Sequence, residues 1–391
     1  MGDTRYTVAV HSDETIKTMV GNCLQDLGGI EKLVPPGSRI LLKPNMVVAK
    51  PNSTGATTSP LILDALIEHL IRTSPCEIII GESSEVGDDT LQAYKITGVY
   101  DIAKKWKVTL LDFKKDHQVY VDVPKGKVLK KVLIAETVTK VDYLINLPIL
   151  KVHSQTIVTI GMKNLKGCIA DQEKSRFHRL NLSQCIADLN TVIIPDLTIV
   201  DATLCSLEWE LGGMPVRLNT VLAAKNVLAA DIVAASTLGY RIDEVEHLLL
   251  AAQAHLGPAD LEEIKIISPK KLKEVQSDRV NSKEFPFYLP GLEVIEKGTC
   301  SSCKGALLAA MRRLYKERSS PDCTILLMGQ RLRDRECEFV PIIKYGTVKS
   351  KKPLVSIGRC CRWVAAHYPI EHIKGCPVKA EAIYRYLRMI S

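Results

Sequence analysis

The sequence predicts an α/β protein: a largely parallel sheet flanked by helices, followed by a second, smaller α/β domain rich in cysteine. Three observations predict it. Short β-branched apolar runs alternate with helix-period segments through about the first 270 residues. A polar stretch rich in Lys, Ser and Pro then breaks that rhythm at residues 268–291. Beyond it, the last 92 of the 391 residues hold seven of the twelve cysteines. The expected organisation is an α/β domain over residues 1–267, a linker over 268–291 and a cysteine-rich domain over 292–391.

Taken in order, "SRILLKPNMV" reads as a buried strand that ends in Lys43-Pro44-Asn45. "SPLILDALIEHLIRT" carries apolar residues at helical spacing, with Ser59 placed as N-cap and Pro60 at the first helical position. "CEIIIGESS" is a short strand stopping at Gly81, and the rhythm recurs in "VDYLINLPIL", "DLTIVDA" and "LNTVLAAKNVLAADIVAASTLG". In the C-terminal domain a helix ("KGALLAAMRRLYKE"), two strands ("CTILLMG", "PLVSIG") and a final helix are expected.

Composition narrows the function. Apolar residues make up 46% and charged residues 25%, a balance that supports sizeable cores. The net charge of +8 comes without a polybasic run, and aromatics are only 5%. That pattern fits small anionic ligands better than nucleic acid. The start, "MGDTRYTVAVHSDE", has no signal-peptide core, and "VLAAKNVLAADIVAASTLGY" is interrupted by Lys225 and Asp231. A cytoplasmic protein without a membrane span is therefore expected. In that compartment its cysteines are thiols or metal ligands rather than disulfides.

Four cysteines have comparable surroundings. Cys300 and Cys303 form a C-x-x-C before a helix, Cys360 follows "PLVSIG", and Cys376 sits between Gly375 and Pro377. Loops at the carboxyl ends of parallel strands converge on one edge, so three such loops can bring four thiolates together. Adjacent glycines admit the backbone close to inorganic sulfide, and proline commonly follows a ligand cysteine. A 4Fe–4S cluster held by Cys300, Cys303, Cys360 and Cys376 is the preferred reading. Zinc is the alternative metal, disfavoured by the wide spacing of Cys360 and Cys376. Ordinary buried thiols are the third reading. Cys361 competes with Cys360 as ligand, whereas Cys323 and Cys337 lack the glycine context and read as core. The terminal segment also resembles the Gly-Cys-Pro-Pro ligand loop of small cluster-bearing subunits of hydrogenases and respiratory complex I, with Val378 in place of the second proline.

A second constellation lies in the large domain. Lys43 and Asn45 end one strand, and Glu82 and Ser83 follow another. Lys151 and His153 come after "YLINLPIL", "GMKNLKG" contributes Lys163, Asn164 and Lys166, "KSRFHRL" contributes Arg176 and His178, and Asp201 ends "LTIVD". The strand-end rule gathers these at one crevice. The lysines offer charge to a carboxylate or phosphate, and His153 or His178 can transfer protons near neutral pH. Lys151, Lys163, His153 and His178 are the catalytic candidates; Lys43, Asn45, Glu82, Ser83, Asn164, Lys166 and Asp201 are candidates for binding the anion. Phosphate-loop, dinucleotide and nucleophile-elbow motifs are absent from the sequence.

The segments "LLKPNMV", "TTSPLILDALIEHL", "GESS", "INLPILKVHSQTIVTIGMKNLKGCI", "LNLSQCIADL" and "LTIVDAT" resemble, in order, the domain-of-unknown-function 362 family over about residues 5–265. The resemblance implies prokaryotic proteins common in anaerobes, an α/β domain and, often, a following cluster module. The usual module is a ferredoxin with closely spaced cysteines; here the four cysteines are dispersed instead. Together these readings describe an iron–sulfur redox protein acting on a small anionic molecule, with a redox partner protein as a further expectation. The alternatives are a non-catalytic electron-transfer or cluster-delivery protein, and a lyase or isomerase using cluster iron as Lewis acid. The last would require one open coordination site and thus three ligand cysteines.

Overall fold

The structure, a computed structural model, describes residues 6–153, 155–207, 210–212, 215–275, 291–296, 324–328, 354–367, 370–375 and 378–391, with single positions between 303 and 319. The side chains of residues 179, 273, 296, 360 and 367 are not among those described. The chain forms two compact units, residues 1–282 and 283–391.

The strands of the first unit are β1 (Thr7–Ser12), β2 (Arg39–Pro44), β3 (Glu77–Glu82), β4 (Thr109–Asp112), β5 (Gln118–Asp122), β6 (Lys131–Ala135), β7 (Tyr143–Leu147), β8 (Lys151–His153), β9 (Ile157–Thr159), β10 (Leu197–Ser206), β11 (Pro215–Ala224) and β12 (Lys265–Ile267). Eight make one sheet in the order β12-β1-β11-β10-β7-β2-β3-β4. From β10 to β4 every pairing is parallel. β11 interrupts this by running antiparallel to both β10 and β1, while β12 rejoins β1 in parallel. β5–β6 and β8–β9 are separate antiparallel ribbons.

Both faces of the sheet are covered, which is why its strands read as continuous apolar runs. Leu41, Ile79, Leu144 and Val200 enter one core. Their neighbours Ile40, Leu42, Ile80, Ile145 and Ile199 enter the other. The helix Pro60–Leu70 starts where the sequence places it: the Ser59 hydroxyl accepts from Leu61 N–H, and Pro60 occupies the first turn. β3 continues one residue past Gly81, because Glu82 still pairs with Asp112 of β4.

The polar stretch anticipated as a linker begins inside the first unit. Residues Leu272–Val275 form a helical turn, Leu272 packs on the first core and Val275 is buried. Two apolar side chains three positions apart hold this turn to the body. Residues 276–290 lie outside the described residues.

The second unit has a four-stranded, all-parallel sheet in chain order: β13 (Leu292–Glu296), β14 (Thr324–Met328), β15 (Leu354–Ile357) and β16 (Glu371–Ile373). Period-2 alternation divides its core. Leu326, Met328, Val355 and Ile357 face Cys303, Leu307 and the final helix Ala380–Met389. Ile325, Leu327 and Leu354 face Cys361 and Val364. Among the described residues no helix is long and apolar enough to cross a membrane.

Candidate functional site

The floor of the polar centre is an ion pair between neighbouring strands. Lys43 of β2 donates to Glu82 of β3 at 2.8 Å and to its own neighbour's carbonyl, Pro44 O, at 2.8 Å. Glu82 also accepts from the N–H groups of Met46 (2.9 Å) and Ser83 (2.7 Å). Gly167 passes directly above: a Cβ there would lie 2.0 Å from Glu82 Oε1. Lys43 and Glu82 therefore neutralise each other, and neither charge remains for a ligand.

Register then sets a row of amides. Lys43 stands opposite Asn146 of β7. Asn45 donates to Asn164 (2.9 Å), Asn164 to Asn146 (2.8 Å), and Asn146 to the carbonyl of Gly161 (2.9 Å). Gly161 opens the short helix Gly161–Asn164, whose first two N–H groups, Gly161 and Met162, both donate to buried Asp231, at 2.7 and 2.8 Å. Burial pushes the Asp231 carboxyl up to about 7. The position of Lys163 is thus fixed from two sides.

Three lysines crowd this centre. Lys151, the first residue of β8, is buried and donates to Ala56 O at 2.6 Å and to Asn45 at 3.4 Å. Burial and then repulsion from Lys163 bring its ammonium down to about 7. Burial brings half-buried Lys163 down to about 8, against the attraction of Glu210 and Glu85. Lys166 is held well below the usual lysine range by burial and then by Lys163 and Lys174. Its Nζ lies 3.2 Å from His178 Nε2, and the other His178 nitrogen lies 2.9 Å from Gln155. Both His153 and His178 are kept neutral, first by burial and then by these lysines.

The sequence-expected residues therefore divide by role. Lys151, Lys166, His153 and His178 all feel the charge of Lys163, which opposes protonation of each. Asn45 and Asn164 order the row beneath them. Four expected ligand residues, Lys43, Glu82, Ser83 and Asp201, are engaged by protein partners instead. Glu82 is closed by Lys43. The Ser83 hydroxyl and carbonyl receive Lys174. Asp201 accepts from Ser59 N–H (2.7 Å) and from the Thr203 N–H and hydroxyl (3.0 and 2.6 Å), so it anchors the helix start rather than facing a ligand. Arg176 pairs with Glu173 at 2.9 Å. Residues that strand-end reasoning missed are Glu210, Asn146, Lys174 and Asp231. Of these, Asn146 and Asp231 carried a sequence signal, a polar residue inside the apolar runs "YLINLPIL" and "VLAADIVAAST".

In the second unit, Cys300 and Cys376 lie outside the described residues, as do Cys323 and Cys337, and Cys360 is described by its backbone alone. Cys303 is described and buried. Its sulfur lies 3.6 Å from where a Cβ on Gly358 would stand, and the carbonyl of Gly375 lies 3.8 Å from the same point. Gly358 N–H donates to Ile373 O (2.9 Å) and Arg359 N–H to Gly375 O (2.8 Å). The loops preceding Cys360 and Cys376 thus meet beside the Cys303 sulfur, at the carboxyl edge of the sheet. Of the four expected ligand cysteines, Cys303 is the one whose side chain is described. Cys361 packs with Ile325, Leu327 and Val364 on the opposite face, away from Cys303. Among the described residues no group of three or more His, Cys, Asp or Glu is placed to hold a metal ion.

These features define an α/β protein with a buried, lysine-rich centre at the carboxyl ends of a largely parallel sheet. The chain belongs to the family described as Domain of unknown function (DUF362), whose family model matches residues 40–236. It is 25% identical over 241 residues to the thylakoid-associated protein sll1697 of Synechocystis sp., covering 60% of this chain and 73% of that one. A solved structure, the lactate racemase apoprotein from Thermoanaerobacterium thermosaccharolyticum, is similar with a TM-score of 0.43 at 11% identity, covering 84% of this chain and 70% of that one.

Proposed function

We propose that the first unit binds a small anionic substrate at Lys151, Lys163 and Lys166, and that the second unit holds an iron–sulfur cluster, which makes the chain a redox protein. The observation that carries the anion reading is the mutual repulsion of these lysines in a buried site. Lys43 and Lys174 have acidic partners in contact, Glu82 and Asp171. An arriving carboxylate or phosphate relieves the repulsion and draws protons onto Lys151 and Lys163. His153 and His178, held neutral, supply hydrogen bonds without adding charge. On the second unit, Cys300, Cys303, Cys360 and Cys376 would hold a 4Fe–4S cluster, which supplies or accepts single electrons.

Thermal unfolding of the full chain with phosphate or succinate tests the anion site. Saturating ligand is expected to raise the melting temperature by mass action. Lys163→Ala is expected to abolish most of the shift, and Lys32→Ala, an exposed lysine, to leave it intact. Equal responses in the two variants would sink the proposal. Iron and acid-labile sulfide are measured separately, on protein purified without oxygen.

A further inference from the structure

We infer that Lys163 is a nucleophile whose amine condenses with the carbonyl of a bound 2-oxo acid to form a Schiff base. The inference rests on the anion-site reading above and deepens it, since it names the reacting group and the substrate class.

Four lysines around this centre are tethered at Nζ. Lys43 holds Glu82, Lys151 holds Ala56 O, Lys166 lies against His178, and Lys174 holds Ser83, Ser84 and Asp171. Lys163 makes no hydrogen bond and no ion pair among the described residues, and Glu210 and Glu85 attract it without contact. Its Nζ is open to solvent, unlike the buried polar atoms that lack a partner, such as His247 Nε2. A small molecule can therefore reach this amine.

The base of the side chain is fixed while its tip is not. On one side, Met162 N–H donates to Asp231 at 2.8 Å and Met162 O accepts from Asn190 at 3.1 Å. On the other, the Asn164 amide is bonded to Asn45, to Lys43 O and to Asn146. The amine is aimed by its neighbours in the chain rather than by a partner of its own.

The state of the amine suits the role. Burial brings Lys163 down to about 8. At pH 7 about a tenth of it is then the free base, against roughly one in three thousand for a lysine at 10.5. Desolvation is one of the ways in which lysines are made nucleophilic. Lys151 titrates lower still, but it is buried and its donors are engaged by Ala56 O and Asn45, so it is sealed from an incoming carbonyl.

In the step proposed, the Lys163 lone pair attacks the carbonyl carbon, and the C–N bond forms as the C=O π pair moves to oxygen. A proton passes from nitrogen to that oxygen, giving a neutral carbinolamine. Protonation by solvent lets the hydroxyl leave as water while the nitrogen lone pair forms the C=N bond. Amine, carbonyl and one proton thus give an iminium and one water, with no oxidant or reductant. The iminium keeps the charge of the ammonium, and the carboxylate on the adjoining carbon answers it and the neighbouring lysines. A simple ketone lacks that carboxylate, and a saturated acid lacks the carbonyl.

The test is reductive trapping of the full chain at pH 7 with cyanoborohydride and either pyruvate or 2-oxoglutarate, read by intact mass and peptide mapping. With at least one of the two, a single reduced adduct is expected at Lys163, formed about tenfold or more faster than at exposed Lys32. Lys163→Ala is expected to lose this adduct and Lys32→Ala to keep it. Excess succinate is expected to slow it, because succinate meets the same charges without offering a carbonyl. The wild-type rates decide the question even if Lys163→Ala fails to fold. Labelling spread evenly over exposed lysines, with a melting temperature raised by succinate and the oxo acids alike, overturns the Schiff base and leaves the anion site standing. Selective labelling of Lys163 that succinate does not slow overturns the oxo-acid assignment. No melting shift and no selective label overturn the anion site and the Schiff base together.

Discussion

The Lys43 ammonium and the Glu82 carboxylate meet at 2.8 Å on adjacent strands, with side-chain exposures of 0% and 3%. Such a pair holds only while both partners stay in place, since removing one leaves an uncompensated buried charge. Its cover is Gly167, above which no side chain fits: an added Cβ would lie 2.0 Å from Glu82 Oε1 and 2.6 Å from Lys43 Nζ. Gly167→Ala is expected to destabilise the protein by about 3–5 kcal/mol, the scale of a broken buried pair. Urea unfolding measures this; a loss under about 1 kcal/mol would show that the loop moves aside freely.

Lys151 gives the protein a signature in pH. Its folded-state value of about 7 lies below the ordinary 10.5, so between those values the unfolded chain binds more protons than the folded one. Stability contributed by the neutral lysine is full above about 10.5 and is lost as pH falls toward 7. Relative to Lys151→Met, the wild-type protein is expected to gain stability with rising pH over that window, at up to about 1.4 kcal/mol per pH unit. Denaturant curves for both proteins at pH 7, 8.5 and 10 decide it. A difference independent of pH would mean that the buried lysine keeps its charge.

His247, on the helix Glu246–Gln253, is fully buried, and neither ring nitrogen has a hydrogen-bond partner among the described residues. Burial, and then Lys163, hold it neutral, down to about 3. An unsatisfied buried polar group costs about 1–3 kcal/mol, so His247→Leu is expected to stabilise the fold by about 1 kcal/mol. Thermal unfolding checks this. Destabilisation would mean that the ring is satisfied by a bound water or ligand.

The cysteine loops yield a ligand test. Cys303→Ser is expected to lower the iron and sulfide content of anaerobically purified protein, whereas Cys361→Ser, in the opposite core, is expected to leave it near wild type. Zinc without sulfide would exclude a cluster. Loss of iron in Cys361→Ser but not in Cys303→Ser would reverse the assignment of faces.

Legibility in the sequence followed the physics of each element. The helix Pro60–Leu70 was readable because a cap, a proline and an apolar periodicity agree at its start. The insertion of β11 against the direction of its neighbours was not, because strands covered on both faces carry apolar runs that hold no record of direction. β13 and β16 escaped because they are short, with polar residues among few apolar ones. In the site, lysines at strand ends stood out against apolar runs. Lys174 did not, since "DQEKSRFHR" looks like a solvated helix face; it is buried by contact with the Ser83–Ser84 backbone and the Ser83 hydroxyl. Glu210 lies in a loop, where no periodicity marks which side chain turns inward.

The row of amides from Asn45 through Asn164 to Asn146 has a consequence for the order of folding. Its links span 119 and 18 positions of the chain, and the longer one requires the segment after β2 and the helix after β9 to be brought together. Closing such loops is entropically opposed until the surrounding sheet exists. The lysine crevice therefore depends on distant parts of the chain being joined first. A chain still growing on the ribosome carries Lys43 and Lys151 in water, as ordinary solvated cations with no shared pocket. Ligand capture becomes a property of the finished unit alone, and a small anion can act on a nascent chain only by rewarding completion.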